Sequence, residues 1–387
     1  MEKRLNPHLV ASPRSAIREF ARLAAETPGC ISLTLGEPDF PTPPAVCQAA
    51  KESLDRGETH YIPNNGAAAL LSDIAAFEQK THGLSYAPDE IIVTVGATEG
   101  LFTALMGMLE PGDEVIVPTP AFVLYQCIVG LAGGVFVPVD TAPADFQLTE
   151  DMLARAVSPK TKAIVLSSPN NPTGCVLNRE SLAAVAALAR KYNLFVICDE
   201  VYRQLFYGTD CPQFSTLYPA LKDRVVVIQS FSKPYAMTGW RVGYLMADRP
   251  VKRQLEKLHQ YDVVSTVSFV QEACRAALRE DPTLMVETYR RRRDFALARL
   301  SEMGLSVVKP EGAFYIFPDI SPSGLSSGDF CRRMIAEAGV AAVPGFCFGG
   351  EGHIRLSYCC DDAVLAAGLD RLSAFVDKLK GEGSWNF

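Results

Sequence analysis

Seven short apolar runs alternate with helical segments in the middle of the chain, and this alternation constrains the fold more than any other feature. The predicted strands are Ile91–Val95, Glu114–Val117, Val135–Val139, Ala163–Ser167, Leu194–Cys198, Val225–Gln229 and Val242–Met246. The helices between them include Glu99–Leu109, Phe122–Ala132, Thr149–Val157 and Arg179–Tyr192. Continuous apolar strands that alternate with helices predict an α/β fold, with a mostly parallel sheet covered by helices on both faces. Ligands in such folds bind at the carboxyl ends of the strands.

The segments on either side of this region predict a second, smaller α+β layer. Its predicted elements are helices at Ser15–Ala25, Thr283–Met303, Asp329–Glu337 and Asp362–Leu379, and short strands at Ile31–Leu35, Phe314–Phe317 and His353–Ser357. The length of 387 residues also favours two domains. We therefore predict an N-terminal arm over residues 1–13, a large domain over 46–284, and a small domain formed by 14–45 together with 285–387.

The overall composition excludes several classes of partner. The chain has 37 basic and 44 acidic residues and a net charge of −7, which gives no reason to expect nucleic acid or a membrane surface as a partner. No run reaches transmembrane length, and the N-terminus has no apolar core of a signal peptide. Five dispersed histidines and eleven scattered cysteines predict no metal site and a reducing, cytoplasmic location.

A lysine closes one of the apolar strands. The strand Val225–Gln229 continues into Ser230, Phe231, Ser232 and Lys233, and Arg241 follows eight positions later. Desolvation lowers the pKa of a lysine and makes its amine a nucleophile, while hydroxyls and a guanidinium can hold a phosphate. An amine beside a phosphate cradle is what a pyridoxal phosphate (PLP) site needs. The alternative is a surface lysine in a loop.

Two glycine-containing turns follow other predicted strands. The turn Val95–Gly100 opens a helix, where backbone N–H groups and the helix dipole suit a phosphate, although Thr98 could equally be a helix N-cap. The segment Ser168–Gly174 could be a plain turn. Gly36, after the first short strand, allows close approach of the backbone to a ligand.

Two charged residues are placed by the predicted strands: Asp199 directly follows one strand, and Arg355 lies on another, short strand. Asp199 follows the apolar run Leu194–Cys198, where a carboxylate is costly unless it is paired, and a protonated pyridine nitrogen would be a suitable partner. Asp199 could instead cap a following helix. Arg355 lies on a short strand, where its guanidinium suits a carboxylate ligand or a structural ion pair.

Together, in this order and spacing, these groups resemble the class I and II aminotransferases, the PLP enzymes of aspartate aminotransferase fold (fold type I). The resemblance extends from Gly36 to the C-terminus. The motifs that carry it are Gly36-Glu37-Pro38-Asp39, Asn170-Asn171-Pro172-Thr173-Gly174, Asp199-Glu200-Val201-Tyr202, Ser230-Phe231-Ser232-Lys233 and Met237-Thr238-Gly239-Trp240-Arg241-Val242-Gly243.

The resemblance implies a role around the cofactor ring for five residues. Lys233 would form a Schiff base with PLP and shuttle a proton at the substrate. Asp199 would pair with the pyridine nitrogen, and Tyr202 and Asn171 would hydrogen-bond the phenolic oxygen. Phe122 would stack on the ring, in a position that relatives often fill with tyrosine or tryptophan.

The resemblance also implies how the phosphate is held. Ser230, Arg241 and the backbone of Ala97 and Thr98 would bind it. Tyr61 matches a tyrosine that relatives donate to the phosphate of the neighbouring subunit, which predicts a homodimer with shared active sites.

For the substrate, the resemblance implies that Arg355, with Asn171 and the Gly36 backbone, binds the α-carboxylate. Ile17 begins a segment that folds over the substrate in relatives as an apolar lid. Arg18 beside it could meet a distal carboxylate, or could be a solvated surface arginine.

The activity that this resemblance implies is transfer of an amino group between an L-amino acid and a 2-oxo acid, with 2-oxoglutarate as acceptor. A carbon–sulfur β-lyase on the same fold would share most motifs. The PLP-sensing domain of a transcription regulator is a third interpretation, but only about 30 residues precede the first strand, too few for a winged helix. The motifs leave the donor open among aspartate, aromatic amino acids and N-acetyl-diaminopimelate, and Thr98, where some dicarboxylate-using relatives have lysine, argues against aspartate.

Overall fold

The fold is an α/β arrangement of twelve strands and fourteen α-helices in a computed structural model that describes residues 4–11, 16–383 and 385. In chain order the strands are β1 (Ile31–Ser32), β2 (Ile91–Thr94), β3 (Glu114–Thr119), β4 (Val135–Asp140), β5 (Thr161–Ser167), β6 (Phe195–Asp199), β7 (Val225–Ser230), β8 (Gly243–Ala247), β9 (Tyr315–Ile316), β10 (Val340–Ala341), β11 (Val343–Pro344) and β12 (Ile354–Ser357). The α-helices are α1 (Pro7–Ala11), α2 (Ala16–Glu26), α3 (Pro44–Asp55), α4 (Ala68–His82), α5 (Gly96–Met108), α6 (Leu124–Leu131), α7 (Glu150–Ala156), α8 (Arg179–Tyr192), α9 (Phe214–Leu217), α10 (Arg249–Val263), α11 (Ser268–Ala277), α12 (Thr283–Glu302), α13 (Ser327–Ala338) and α14 (Asp362–Gly381).

A seven-stranded sheet forms the centre of the molecule. Its strands lie in the order β2-β8-β7-β6-β5-β3-β4, and β8 is antiparallel to both of its neighbours while the other strands run parallel. All seven predicted strands are therefore present, and the predicted α/β fold with a mostly parallel sheet is confirmed. The carboxyl ends of β5, β6 and β7 meet at one edge of this sheet.

Burial on both faces explains why the strands are continuously apolar. Along β7, Val225 and Val227 pack into the core on one face of the sheet, and Val226 and Ile228 pack into the core on the other face. Successive side chains of a strand point to opposite faces, so a strand covered on both sides needs apolar residues at every position.

A separate core forms around the C-terminal elements and includes Phe20 and Leu33 from the N-terminal part of the chain. Here β11, β12 and β9 form a three-stranded antiparallel sheet, and β1 pairs with β10 in parallel. The separate cores support a two-domain division, whose boundaries stay a prediction. The predicted arm over 1–13 and the start of the helix predicted at Ser15 lie partly outside the described residues.

Helices α1 and α9 are not predicted from the sequence, and two longer helices, α5 and α11, also differ from the sequence-based expectation. The helix predicted from Glu99 begins at Gly96, which places Ala97 and Thr98 in its first turn. Helix α11 was not predicted, although its buried residues Val270, Ala273, Cys274 and Ala277 have helical spacing. Within the described part of the chain, no helix has the length and apolar character needed to cross a bilayer.

Candidate active site

A cavity of about 410 Å³ lies at the carboxyl ends of β5, β6 and β7, beside the N-terminus of α5. Its size suits a small-molecule site. Eleven of the predicted site residues line it: Gly36, Ala97, Thr98, Phe122, Asn171, Asp199, Tyr202, Ser230, Lys233, Arg241 and Arg355. The structure thus brings together residues that are separated by up to about 320 positions in the chain.

Lys233 presents its amine to this cavity just after the end of β7. The Nζ atom donates a hydrogen bond of 2.6 Å to the carbonyl oxygen of Gly36 and lies 5.9 and 5.7 Å from the ring centres of Tyr202 and Phe314. Burial lowers the pKa of Lys233 to about 8. A larger fraction of this lysine is therefore the neutral, nucleophilic amine near neutral pH than is usual for lysine.

Asp199 is the last residue of β6, and its side chain is a buried carboxylate facing the cavity. The Tyr125 hydroxyl donates to Oδ2 over 2.5 Å, and the Val201 amide donates to Oδ1 over 3.4 Å. Burial raises the pKa of Asp199 to about 6, and no Lys, Arg or His among the described residues forms an ion pair with it. The helix-cap alternative is wrong, because turns rather than a helix follow Asp199. A buried carboxylate of this kind favours a cationic ligand group.

The first turn of α5 and Arg241 form one end of the cavity. Arg241 adopts a left-handed backbone conformation with φ of 54° and donates from Nη1 to the Thr238 carbonyl oxygen over 3.0 Å. Gly96 also has a positive φ, and a Cβ atom at this position would lie 2.7 Å from Arg241 Nη2. The N-cap of α5 is Val95, so the N-cap alternative for Thr98 is wrong. A guanidinium beside a helix N-terminus suits a phosphate.

Two serines at the end of β7 complete this end of the cavity. Ser230 and Ser232 both line it, and the Ser232 amide donates to Ser230 Oγ over 3.0 Å. Both residues are buried. Their hydroxyls add short polar side chains to the guanidinium and the helix N-terminus, which is a donor set typical of a phosphate site.

Arg355 lies on β12 and lines the same cavity. Its Nη1 donates to Asn171 Oδ1 over 2.9 Å, and its Nη2 donates to the Thr34 carbonyl oxygen over 2.7 Å. Its buried Nε atom has no hydrogen-bond partner, and none of the described Asp or Glu side chains forms an ion pair with it. The structural ion-pair alternative is therefore wrong for the described residues. A buried guanidinium without a counter-ion suits an anionic ligand such as a carboxylate.

Comparison with known proteins identifies the family. Residues 28–372 match the family described as aminotransferase class I and II. The chain is 43% identical over 384 residues to a probable N-acetyl-LL-diaminopimelate aminotransferase of Bacillus subtilis, covering 98% of this chain and 97% of the relative. It is 40% identical to aromatic-amino-acid aminotransferase 2 of Thermococcus litoralis, covering 95% and 96%. The chain belongs to the class I and II aminotransferases.

A solved structure agrees with this assignment. Aspartate aminotransferase from Thermus thermophilus with maleate superimposes with a TM-score of 0.90 at 37% identity, covering 96% of this chain and 99% of that chain. The protein is therefore an aminotransferase, and the interpretation as a regulator domain is wrong. Enzymes of this family depend on PLP, which confirms the predicted cofactor.

The side chains that line the cavity of this aminotransferase match the chemical groups of PLP. The buried carboxylate of Asp199 forms no ion pair with any described side chain and suits a protonated ring nitrogen. Arg241, the two serines and the α5 turn provide the donors that a phosphate needs. Lys233 lies in the same cavity with an amine of lowered pKa.

Four aromatic residues line the cavity in two contacting pairs. The Tyr202 and Tyr315 hydroxyls lie 2.9 Å apart, and Phe122 packs edge-to-face on Tyr125 with ring centres 6.3 Å apart. Gly36 is tightly packed, because a Cβ atom there would overlap the Tyr315 hydroxyl. The absence of a side chain at Gly36 thus leaves its backbone next to the cavity.

Tyr61 is the one predicted site residue outside the cavity. Its side chain is 90% exposed, and it lies in the loop before α4, where it lines a surface groove together with Val267. Such exposure of a large aromatic side chain is unusual and marks a candidate contact surface.

Sequence reasoning missed two residues that shape this aminotransferase site. Tyr125 donates to Asp199, and Tyr315 contacts both Tyr202 and the Arg355 guanidinium. The sequence identifies Ser232 only as a hydroxyl close to Lys233, and in the structure it lines the cavity beside Ser230. The tyrosines carry no local signal, since each lies within an apolar segment that any core could use.

A buried ionic network supports the segment that follows Asp199. Arg203 donates from Nη2 to both Glu78 oxygens over 2.6 and 2.8 Å, and from Nη1 to Glu200 over 2.8 Å. The side chains of this network are almost completely buried. It ties the turn after β6 to helix α4, so Asp199 and Tyr202 are fixed relative to the sheet.

Proposed function

We propose that this aminotransferase moves an amino group between an L-amino acid and a 2-oxo acid in two half-reactions, with 2-oxoglutarate as an acceptor and Lys233 as the attachment point of the cofactor. One observation carries the proposal: the Lys233 amine, the Asp199 carboxylate and the Arg355 guanidinium line the same cavity. These groups supply a nucleophile, a partner for a ring cation and a partner for a substrate carboxylate.

The cofactor would be held at three points. Ser230, Arg241 and the Ala97–Thr98 turn would bind its phosphate. Asp199 would hold a proton on the ring nitrogen. Tyr202 and Asn171 would hydrogen-bond its phenolic oxygen, and Phe122 would cover the ring face.

Bound PLP supplies a ring that accepts electrons from the substrate α-carbon. The chain supplies the rest. Lys233 moves the proton that leaves the α-carbon, and its lowered pKa suits it to accept that proton near neutral pH. Asp199 stays ionised beside the ring cation, which reverses the effect of burial on its pKa.

Donor and acceptor both carry an α-carboxylate, so one binding group can serve both half-reactions. Arg355 is suited to this role because its Nε has no partner and its two Nη atoms are already oriented by Asn171 and Thr34. The adjacent Gly36 backbone would complete the carboxylate site.

The lining of the cavity favours a donor with a large or extended side chain. Besides the groups assigned to the cofactor and the α-carboxylate, it includes the apolar residues Ile17, Leu35, Leu101 and Leu124 and the exposed Arg18. An apolar surface with one further cation suits a long side chain that ends in a carboxylate, or an aromatic ring. The names of the relatives, which include N-acetyl-LL-diaminopimelate and aromatic amino acids, support the same range.

Product analysis tests the proposal against the carbon–sulfur β-lyase alternative. The purified enzyme is incubated with a panel of L-amino acids, cysteine-like thioethers among them, and with 2-oxoglutarate. Stoichiometric glutamate and the 2-oxo acid of the donor are expected. Pyruvate plus ammonia from the thioethers, without glutamate, would establish the lyase instead.

Two arginine variants separate binding of the common carboxylate from side-chain specificity. Arg355→Ala should lower kcat/KM for every donor and acceptor by a similar factor, about 10²-fold or more, because a charged hydrogen-bonding partner is lost. Arg18→Ala should lower kcat/KM only for substrates with a distal carboxylate, by about threefold to tenfold. Steady-state kinetics with alanine, phenylalanine and glutamate measure both effects. Equal losses for alanine and glutamate in the Arg18 variant would rule out its specificity role.

Hybrid dimers test the predicted homodimer with shared active sites. If Tyr61 serves the phosphate of the neighbouring subunit, a dimer of Tyr61→Phe and Lys233→Ala chains has one fully native site. Mixing the two inactive or impaired proteins under exchange conditions should then restore up to about a quarter of native activity, since half of the dimers are hybrids and each hybrid has one native site. Mixing Lys233→Ala with Asp199→Asn chains is the control. Each site takes both of these residues from one subunit, so both sites of the hybrid dimer are defective and no activity should be restored. A fully active monomer in sedimentation would contradict the prediction.

The cytoplasmic location also stays a proposal. All eleven cysteines are free thiols in the structure. Unpaired cysteines are typical of a reducing compartment.

A further inference from the structure

His259 lies on α10 and is completely buried. Its Nε2 is 2.8 Å from the carbonyl oxygen of Asn64, and its Nδ1 is 3.1 Å from Oε1 of Glu99. A carbonyl oxygen and an ionised carboxylate can only accept hydrogen bonds, so both ring nitrogens must carry a proton. With Glu99 as a carboxylate, this geometry is completed by a charged imidazolium rather than by a neutral ring.

The surroundings of His259 favour that charge. Glu99 also accepts from the Val95 amide at Oε2 over 3.0 Å and from Thr103 Oγ1 at Oε1 over 2.6 Å, so both of its oxygens act as acceptors. Burial alone would lower the pKa of His259, but Glu99 on α5, the Asn64 carbonyl and Asp262 on α10 outweigh burial and raise it above its usual value.

His82 shows what burial does to a histidine without such partners. Its Nε2 is buried and has no hydrogen-bond partner. Burial, with the charge of Arg203, lowers the pKa of His82 to about 3. The described part of the chain thus contains a half-buried histidine that favours the neutral form and a completely buried histidine placed between two acceptors.

The two partners of His259 lead to two segments with a predicted role in phosphate binding: the α5 turn, which lines the cavity of this subunit, and the Tyr61 loop, which is predicted to serve the neighbouring subunit. Glu99 binds the Val95 amide at the start of α5, directly before the turn whose residues Ala97 and Thr98 line the cavity. Asn64 belongs to the loop that carries Tyr61, and its side chain donates to the Val264 carbonyl over 2.7 Å. His259 is thus hydrogen-bonded to both segments at once.

We propose that His259 is a positioning residue for the cofactor phosphate. As an imidazolium between Glu99 and Asn64, it fixes the positions of the first turn of α5 and the Tyr61 loop relative to each other. This rests on the proposed function in taking that turn as the phosphate site. The link is complete while the ring is protonated, and it is lost as pH rises through the pKa of His259. The part of cofactor affinity that depends on it should therefore fall at high pH.

The first measurement concerns the ring itself and needs no activity. Nitrogen-15 spectra of the holoenzyme labelled at its histidine rings report the protonation of both nitrogens. At pH 7, His259 should show two protonated nitrogens and His82 a neutral ring, with each signal assigned from its loss in His259→Gln or His82→Gln. A neutral His259 ring at pH 7 would overturn the proposal.

The second measurement is binding of pyridoxamine 5′-phosphate, which attaches without a covalent bond and so depends on the phosphate contacts. After resident PLP has been removed from the full-length enzyme and its variants, the dissociation constant of the probe is measured by ultrafiltration between pH 6 and pH 10. His259→Gln and Glu99→Gln should each weaken binding about tenfold at neutral pH, a loss typical of residues that orient a binding group. The ratio between the dissociation constant of each of these two variants and that of the native enzyme should become smaller at high pH. His82→Gln should bind as the native enzyme does.

The outcomes separate the two proposals. If the native enzyme binds the probe and His259→Gln follows the same pH profile with the same affinity, the positioning role is overturned while the proposed function stands. If the native enzyme does not bind the probe at any pH, the proposed function fails, and this proposal fails with it. If His259→Gln does not fold, Glu99→Gln and the ring spectra of the unaltered enzyme decide.

Discussion

Lys233→Ala should abolish transamination, with a fall in kcat of about 10⁴-fold or more. The variant loses both the amine that attaches the cofactor and the group that moves the α-proton, and a positioned acid–base group alone contributes up to about 10⁴-fold. Spectrophotometric assay of glutamate formation measures the loss. The phosphate contacts at Ser230 and Arg241 remain, so the variant should still retain the cofactor without a covalent bond.

The attachment point can be verified directly. Borohydride reduction of the native enzyme, followed by peptide mass mapping, should place a pyridoxyl adduct on Lys233 and on no other lysine. Lys51→Ala is the control, since Lys51 is exposed on α3 and lies outside the cavity. An adduct elsewhere, or a Lys233→Ala enzyme with substantial turnover, would contradict the assignment.

Asp199→Asn should lower kcat/KM by about 10²–10³-fold, the size typical of removing one preorganised electrostatic group from a buried site. The amide keeps the shape of the side chain but loses the charge that holds a proton on the ring nitrogen. Asp199→Glu should retain more activity because it keeps the carboxylate, although the longer side chain must be accommodated in a buried position. Kinetics with one fixed donor and acceptor measure all variants.

Tyr125→Phe provides a graded control for this effect. It removes the 2.5 Å hydrogen bond to Asp199 but leaves the carboxylate in place. A smaller loss, about tenfold, is expected, because one hydrogen bond to a charged group contributes about 1.5–3 kcal/mol and the other contacts remain. Near-native turnover of the Asp199→Asn variant would show that the charge of Asp199 does not contribute to catalysis.

The sequence by itself determined the sheet and the residues at its carboxyl edge. Each strand of the central sheet is continuously apolar because it is buried on both faces, and this pattern is local. Asp199 ends β6 and Lys233 closely follows β7, so the parallel arrangement of these two strands was enough to predict that both side chains approach one site. The family motifs added the cofactor, which composition and periodicity alone could not name.

Only the tertiary structure decided how that site is completed. The hydrogen bonds from Lys233 to Gly36 and from Arg355 to Thr34 join residues 197 and 321 positions apart. The partner of Asp199 is Tyr125, and the two hydrogen-bond partners of His259 lie on α5 and in the loop before α4. Tyrosine and histidine occur in many cores, and their role depends on which groups packing brings within hydrogen-bonding distance, a property that no local stretch of sequence contains.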